Sequence, residues 1–157
     1  MDKPSYVTTL EKIYGAPSQN GFGSAVFFET SKPASTLEKM ALEKYEYFVG
    51  KLWEQYGKDA WMGPWKQVYT RAAGVKPAIV AELRSIKGSD TQMHVGMILD
   101  IPNEPAAVEE ALSAAYDAAD VVDLRVYLIG DGCAMSGLLL PGQRKDGDTT
   151  FLVFLLD

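Results

Sequence analysis

Few residues in this sequence have types and spacing suited to chemistry. Gly130-Asp131-Gly132-Cys133 follows an alternating apolar run at Val122, Leu124, Val126 and Leu128. It therefore stands at the end of an expected strand, where ligand-binding loops gather. Cys133 is the one cysteine of the chain. If it opened a helix, the positive end of the helix dipole would lower its thiol pKa and make it a nucleophile. His94 is the one histidine and could serve as a general base, oriented by Asp100 or Glu82. It takes the polar phase of an alternating segment, which puts it on a solvent-facing side. No nucleophile elbow occurs, so spacing assembles no Ser-His-Asp set. The phosphate-loop, dinucleotide-glycine and EF-hand patterns are absent, and Asp146-Gly147-Asp148 reads as a hairpin turn. One cysteine and one histidine are too few for an ordinary zinc site, so no metal or cofactor is expected.

The run Tyr127-Leu128-Ile129-Gly130-Asp131-Gly132 is similar to the strand-to-loop junction of the DsrE sulfurtransferase-like family, over about 35 residues with the preceding strand and helix included. That resemblance implies a reactive Cys133. Only 24 residues follow Cys133, short of the further βα units that fold requires. Read from the residues alone, Gly-Asp-Gly is a tight turn and Cys133 a small buried side chain. Cys133, Asp131 and His94 stand as candidates, with no catalytic residue assigned.

The charge is segregated. Residues 1–77 carry 10 Lys/Arg against 8 Asp/Glu, and residues 78–157 carry 5 against 13. From Gly88 to Leu124, 37 residues hold eight acids and no base: Asp90, Asp100, Glu104, Glu109, Glu110, Asp117, Asp120 and Asp123. Such a field repels nucleic acid and anionic lipid and attracts basic protein surfaces. A solubilising face usually mixes both signs. Asp117 and Asp120 also fall near an expected helix C-terminus, where negative charge is unfavourable. Glu104, Glu109, Glu110, Asp117, Asp120 and Asp123 are therefore the candidate binding residues. Trp61 joins them as the exposed member of an aromatic group, Trp53, Tyr56, Trp61, Trp65 and Tyr69, that spans 17 residues and could offer a pocket or a partner contact.

The elements that would position these residues follow from periodicity. Thr8-Thr9-Leu10-Glu11 fits a capping box for a short helix stopped by Gly15. Ala25 to Phe28 suits a strand. Ser35-Thr36-Leu37-Glu38 opens a helix with its apolar stripe at Leu37, Ala41, Tyr45, Phe48 and Leu52, ended by Gly57. Trp65, Val68, Tyr69 and Ala72 repeat at helical spacing behind Pro64. Ile79-Ala81-Leu83 and Met93-Val95-Met97-Leu99-Ile101 alternate, which predicts a hairpin around Lys87-Gly88-Ser89-Asp90. Pro105 starts a helix with its stripe at Val108, Ala111, Leu112 and Ala115. Strands are expected at Val122–Leu128, 134–140 and 149–156, the last apolar on both faces and so central.

The fold class is thus α+β: an antiparallel sheet of about five strands with helices packed on it, a β-β-α-β-β-β core preceded by two helices. That order is similar to profilin-like and roadblock-type sheets, as element order alone. Length and composition suit a single α+β domain over residues 1–157. Neither a signal-peptide pattern nor a membrane-length apolar run is seen, so a cytoplasmic location is expected.

These features predict a small acidic cytosolic module that docks on a basic protein partner, in the manner of an inhibitor, immunity protein or chaperone. A homodimer is compatible with them. Two alternatives remain open: a small enzyme using Cys133 in the Gly130-Asp131-Gly132 loop, and a small-molecule sensor with a pocket near Trp61. A pocket holding Cys133, His94 or Asp131 would favour the enzyme. A broad acidic face would favour the docking module.

Overall fold

The computed structural model describes residues 3–19, 21–72, 74–100, 103–131 and 135–156. Five strands form one antiparallel sheet: β1 (Gly23–Glu29), β2 (Lys66–Thr70), β3 (Val121–Gly130), β4 (Ser136–Arg144) and β5 (Thr149–Leu156). Their spatial order is β1-β5-β4-β3-β2, so β2 to β5 form a meander and β1 closes the far edge against β5. Seven α-helices cover the sheet: α1 (Ser5–Tyr14), α2 (Leu37–Val49), α3 (Lys51–Tyr56), α4 (Lys58–Met62), α5 (Ile79–Ser85), α6 (Ser89–Asp100) and α7 (Pro105–Tyr116).

Side chains alternate across a strand, so each strand divides its residues between two cores. Val26, Leu124, Val126, Leu138, Leu140, Leu152 and Phe154 face α1, α5, α6 and α7. Ala25, Phe27, Tyr127, Ile129, Leu139, Phe151, Val153 and Leu155 face α2, α3 and α4. With helices on both sides, interior strands must be apolar on both faces, and Phe151 to Leu155 in β5 are buried without interruption. The sequence reading of this strand as an interior one holds.

Two segments differ from expectation, although the class and strand number agree. Residues 79–100 are not a hairpin but α5 and α6. The alternation Met93, Val95, Met97, Leu99 coexists with a helical stripe at Thr91, His94, Val95, Ile98 and Leu99, and that stripe is what the fold buries. Met93, expected on the core face of a strand, is half exposed. Ala81, Glu82, Leu83 and Arg84 favour helix, and the Gln92 amide donates to the last carbonyls of the preceding turn, Leu83 (2.9 Å) and Ile86 (2.6 Å). Conversely, residues 65–72 are not helical: 66–70 form the edge strand β2, paired with β3 through a register shift between Gln67 and Tyr69. Val68, Tyr69 and Thr70 suit a pleated surface, and their three-four spacing was coincidental. The β-β-α-β-β-β order, and the likeness to profilin-like and roadblock-type sheets built on it, go with that hairpin. Ile101, assigned to the second arm, lies outside the described residues.

One side chain ties three segments together. The Tyr45 hydroxyl, fully buried on α2, accepts from the Gly130 N–H (3.0 Å) and lies 2.7 Å from the Trp61 carbonyl and 3.0 Å from the Gly130 carbonyl. It thus fixes the end of β3 against the last turn of α4. Gly130 has φ 137°, and a Cβ there would strike the Met135 backbone. A Cβ at Gly137 would collide with the Phe154 carbonyl oxygen. Neither position tolerates a side chain, Gly130 because it lies against the backbone entering β4 and Gly137 because it lies against β5.

Removing the hydroxyl leaves a buried N–H and a buried carbonyl without their partner, which costs about 1–3 kcal/mol. Tyr45→Phe should lower stability by that amount in urea denaturation, with the slope unchanged. An unchanged midpoint would mean that water or another group takes over the hydroxyl's role.

Candidate functional site

The acidic residues proposed as a docking face prove to be of two kinds. Three of them are paired with arginines, two of which come from distant parts of the chain. Arg71, just past β2, donates to Asp117 (3.1 Å), to the Tyr116 carbonyl (2.8 Å) and to both Glu82 oxygens (2.6 and 2.9 Å). Arg144, at the end of β4, pairs with Asp120 (3.1 Å) and donates to the Ala114 and Ala115 carbonyls. Arg125 pairs with Asp123 (3.0 Å). The C-terminus of α7 is therefore capped by two guanidinium groups, which supply the compensation that the local sequence lacked for Asp117 and Asp120. Asp117 also accepts from the Ile79 N–H (2.8 Å). It is a structural carboxylate joining α7 to α5. Glu104, Glu109 and Glu110 remain exposed, as do Asp90 and Asp100, and none of these five has an ion pair among the described residues.

Trp61 is not a surface residue. It is 1% exposed, its indole N–H donates to the Leu52 carbonyl (3.0 Å), and its ring packs edge-on against Tyr45. Trp65 stacks between Tyr45 and Tyr127, with ring centroids 5.6 and 4.6 Å away. Trp53, Trp61 and Trp65 pack in the α2–α4 layer, Tyr69 packs against the core on the other face of the sheet, and Tyr56 is exposed. Spacing could not show this, because Trp61 reaches the core from α4, a one-turn helix that the sequence reading took as connector.

Cys133 and Gly132 lie outside the described residues. Asp131 is partly buried and braces the turn: its carboxylate accepts from the Met135 N–H (3.0 Å), and its own N–H donates to the Met135 carbonyl (3.1 Å). The Gly130–Ser136 pair then closes the loop at its base. Ser136 is thereby held at the first position of β4.

His94 is 2% exposed, contrary to its expected solvent-facing phase, because the segment is helical and His94 lies on the buried stripe. Its Nε2 is 2.8 Å from the Ser136 Oγ. Its Nδ1 is buried with no hydrogen-bond partner among the described residues. Burial lowers the imidazole pKa below the ordinary histidine range, and the Asp90 carboxylate acts against that shift. The ring is therefore neutral at pH 7. With its proton on Nδ1, Nε2 accepts from the serine hydroxyl. Neither carboxylate expected to orient His94 does so. Glu82 is occupied by Arg71, Tyr69 and the Ala78 N–H, and Asp100 lies at the other end of α6. The neighbouring carboxylate is Asp90, one turn earlier on the same helix.

These groups open into a pocket of about 300 Å³. Asp90, Met93 and His94 come from α6, Leu128 and Ile129 from β3, Met135 and Ser136 from the start of β4, and Pro64 from the aromatic connector. Three separately noted regions therefore meet here: the histidine, the Gly130-Asp131 loop and the connector. Ser136 was missed in the sequence. It sits in Met135-Ser136-Gly137 with no recognisable motif, and its significance depends on a helix 42 residues away. The other large clefts offer less: the one beside β1 contains Lys3 and Lys44, but these are held by Glu11 and Glu29. Among the described residues no group of three or more His, Cys, Asp or Glu side chains is arranged to hold a metal ion. No helix among them is long and apolar enough to cross a membrane.

The Arg71–Glu82 pair has a definite pH signature. Burial works to raise the Glu82 carboxyl pKa, but hydrogen bonds from Arg71, Tyr69 and the Ala78 N–H outweigh it and hold the pKa below the usual value. Burial and the same carboxylate push the Tyr69 hydroxyl up to about 12, so it remains a donor. A carboxyl whose pKa is depressed by folding stabilises fully above its unfolded pKa, and that stability is lost as pH falls through the folded pKa. Glu82→Ala should cost about 1–3 kcal/mol at pH 7, because it leaves Arg71 with Asp117 as its one remaining carboxylate and takes the acceptor from the Tyr69 hydroxyl and the Ala78 N–H. The gap between parent and variant in urea should narrow as pH is lowered below the carboxylate range. A gap that is constant with pH would mean that lost packing, not charge, sets the cost.

Compared with models of protein families, with curated proteins and with solved structures, the chain matches none.

Proposed function

We propose that this chain is a small-molecule-binding protein whose site is the pocket between α6, the β3–β4 turn and the connector at Pro64. The observation that carries this reading is the contact of His94 Nε2 with Ser136 Oγ inside a cavity whose remaining described lining is apolar apart from Asp90. Ligand sites commonly combine apolar walls with a few convergent polar groups, and about 300 Å³ is at the small end of their range. Pro64, Met93, Leu128, Ile129 and Met135 supply the walls, and the two methionines can adapt to ligand shape. No lysine or arginine is among the described lining residues, and Asp90 is. A neutral ligand that can exchange a hydrogen bond with Ser136 or His94 fits better than an anion.

Docking on a basic protein is a second reading, now on a narrower set of residues. The exposed carboxylates of Asp100, Glu104, Glu109 and Glu110 favour it, whereas Asp117, Asp120, Asp123 and Trp61 no longer contribute. Reversing Glu104, Glu109 and Glu110 to lysine should then release a basic partner, recovered from native cells, at lower salt than the parent does. Equal retention by parent and variant would remove this reading.

His94 is the chain's one histidine, so a single imidazole Hε1 resonance reports on the pocket. Titration with butyramide should shift that resonance saturably. Met93→Trp, a substitution at a half-exposed rim position, should fill the pocket and abolish the shift without altering the melting temperature. No movement of the resonance at millimolar butyramide, in a folded parent protein, would overturn the proposal.

A further inference from the structure

The same pocket has the arrangement of an acyl-transfer site, an inference that rests on the pocket reading and extends it to chemistry. We propose that Ser136 is a nucleophile activated by His94, with Asp90 as the positioning residue, acting on small uncharged carboxylic esters or thioesters.

Three observations support this. First, nucleophile and base are already within transfer distance, with Ser136 Oγ 2.8 Å from His94 Nε2, inside the range required of a general base. Second, both are held. Ser136 pairs with Gly130 on one side and Leu156 on the other, next to a glycine that must remain one, and His94 is packed on the buried stripe of α6. Third, His94 Nδ1 is buried and has no hydrogen-bond partner among the described residues. A histidine base needs an acceptor there to fix its tautomer and to stabilise the imidazolium formed during reaction. Asp90 lines the same pocket one helical turn away. It is the one charged side chain among the described lining residues, since β3, β4 and the Pro64 connector contribute none.

The step balances without any further reagent than water. Ser136 Oγ forms a bond to the acyl carbon as its proton passes to His94 Nε2. The bond to the leaving alcohol or thiol breaks, and that group departs with the proton returned by His94. Water, deprotonated by the same nitrogen, then attacks the acyl-serine, releasing the carboxylic acid and restoring the hydroxyl. The apolar walls suit a short acyl chain. The lack of a lysine or arginine among the described lining residues, with Asp90 at the site, disfavours acids and phosphates.

The test uses the full chain with p-nitrophenyl butyrate as substrate and a fluorophosphonate as a covalent probe, the modified residue being located by mass spectrometry. Label is expected on Ser136, with none on Ser136→Ala. Hydrolysis should fall about 100-fold or more in Ser136→Ala and in His94→Gln, the usual weight of a general base. Cys133→Ser should hydrolyse at the parent's rate. The parent's rate should fall on the acid side as His94 gains a proton, below the ordinary histidine range. Asp90→Asn should lower the rate and move that limb to lower pH, because the carboxylate supports the imidazolium. Label on Cys133 or a surface hydroxyl, or a Ser136→Ala variant as active as its parent, would overturn the proposal. If butyramide shifts the His94 resonance but the probe leaves Ser136 unmodified, the pocket binds without chemistry and this inference alone fails. If neither occurs, both readings fail.

Discussion

Burial of the sheet on both faces is the constraint from which the rest of the structure follows. Interior strands covered on one side alone would alternate apolar and polar residues, and β5 does not. A run such as Phe151-Leu152-Val153-Phe154-Leu155 is stable between two helical layers, and among the described residues seven α-helices cover the two faces of the sheet. Three of them are short, α3, α4 and α5 having seven residues or fewer. Helices that short are marginal by themselves and persist because tertiary packing supports them. Tyr45 then acts as more than a core aromatic. Its hydroxyl is placed where the last turn of α4 and the end of β3 would otherwise leave backbone groups unpaired.

Two-sided burial also explains how the charge is distributed. Strands covered on both faces have little room for ionic groups, and apart from the Asp123–Arg125 pair on β3 the ion pairs lie at strand ends, in loops and on helices. There the acids meet arginines from other segments. Arg71 bridges α5 and α7 at low exposure, and Arg144 covers the last carbonyls of α7 while lying 3.8 Å from the Tyr6 ring centroid. Segregation of charge along the sequence is thus partly cancelled in space. The net field of the α7 region comes from Glu104, Glu109 and Glu110, at its N-terminal half, where carboxylates agree with the helix dipole.

How much of this was legible depended on whether a signal was local. The β3–β4–β5 meander was, since long alternating or fully apolar runs broken by Gly130-Asp131 and Asp146-Gly147 admit little else. The start of α7 was too, because Pro105 suits a first helical turn. Residues 79–100 were not. Met93, Val95, Met97 and Leu99 match a two-residue period, while Thr91, His94, Val95, Ile98 and Leu99 match a helical one, and only the presence of α7 and α1 on that face decides between them. The same switch decided the site. Read as strand, His94 faces solvent and has no partner. Read as helix, it turns inward and meets Ser136. Trp61 failed for a related reason: its burial requires Tyr45 and Leu52, from helices whose packing no spacing rule describes.

The position of His94 on α6 has one more physical consequence. Asp90 lies in the first turn of that helix, where its carboxylate interacts favourably with the unpaired N–H groups and the dipole. Four residues on, on the same side of the helix, comes the imidazole. The carboxylate can therefore contribute to both, supporting the helix start when the ring is neutral and stabilising the ring when it carries a proton. Burial opposes the protonated ring more strongly, which is why the net direction of the shift is downward. A buried histidine that held its proton would be an ion pair in a structural role. One that is neutral but lies beside a carboxylate can take a proton during a reaction and return it afterwards.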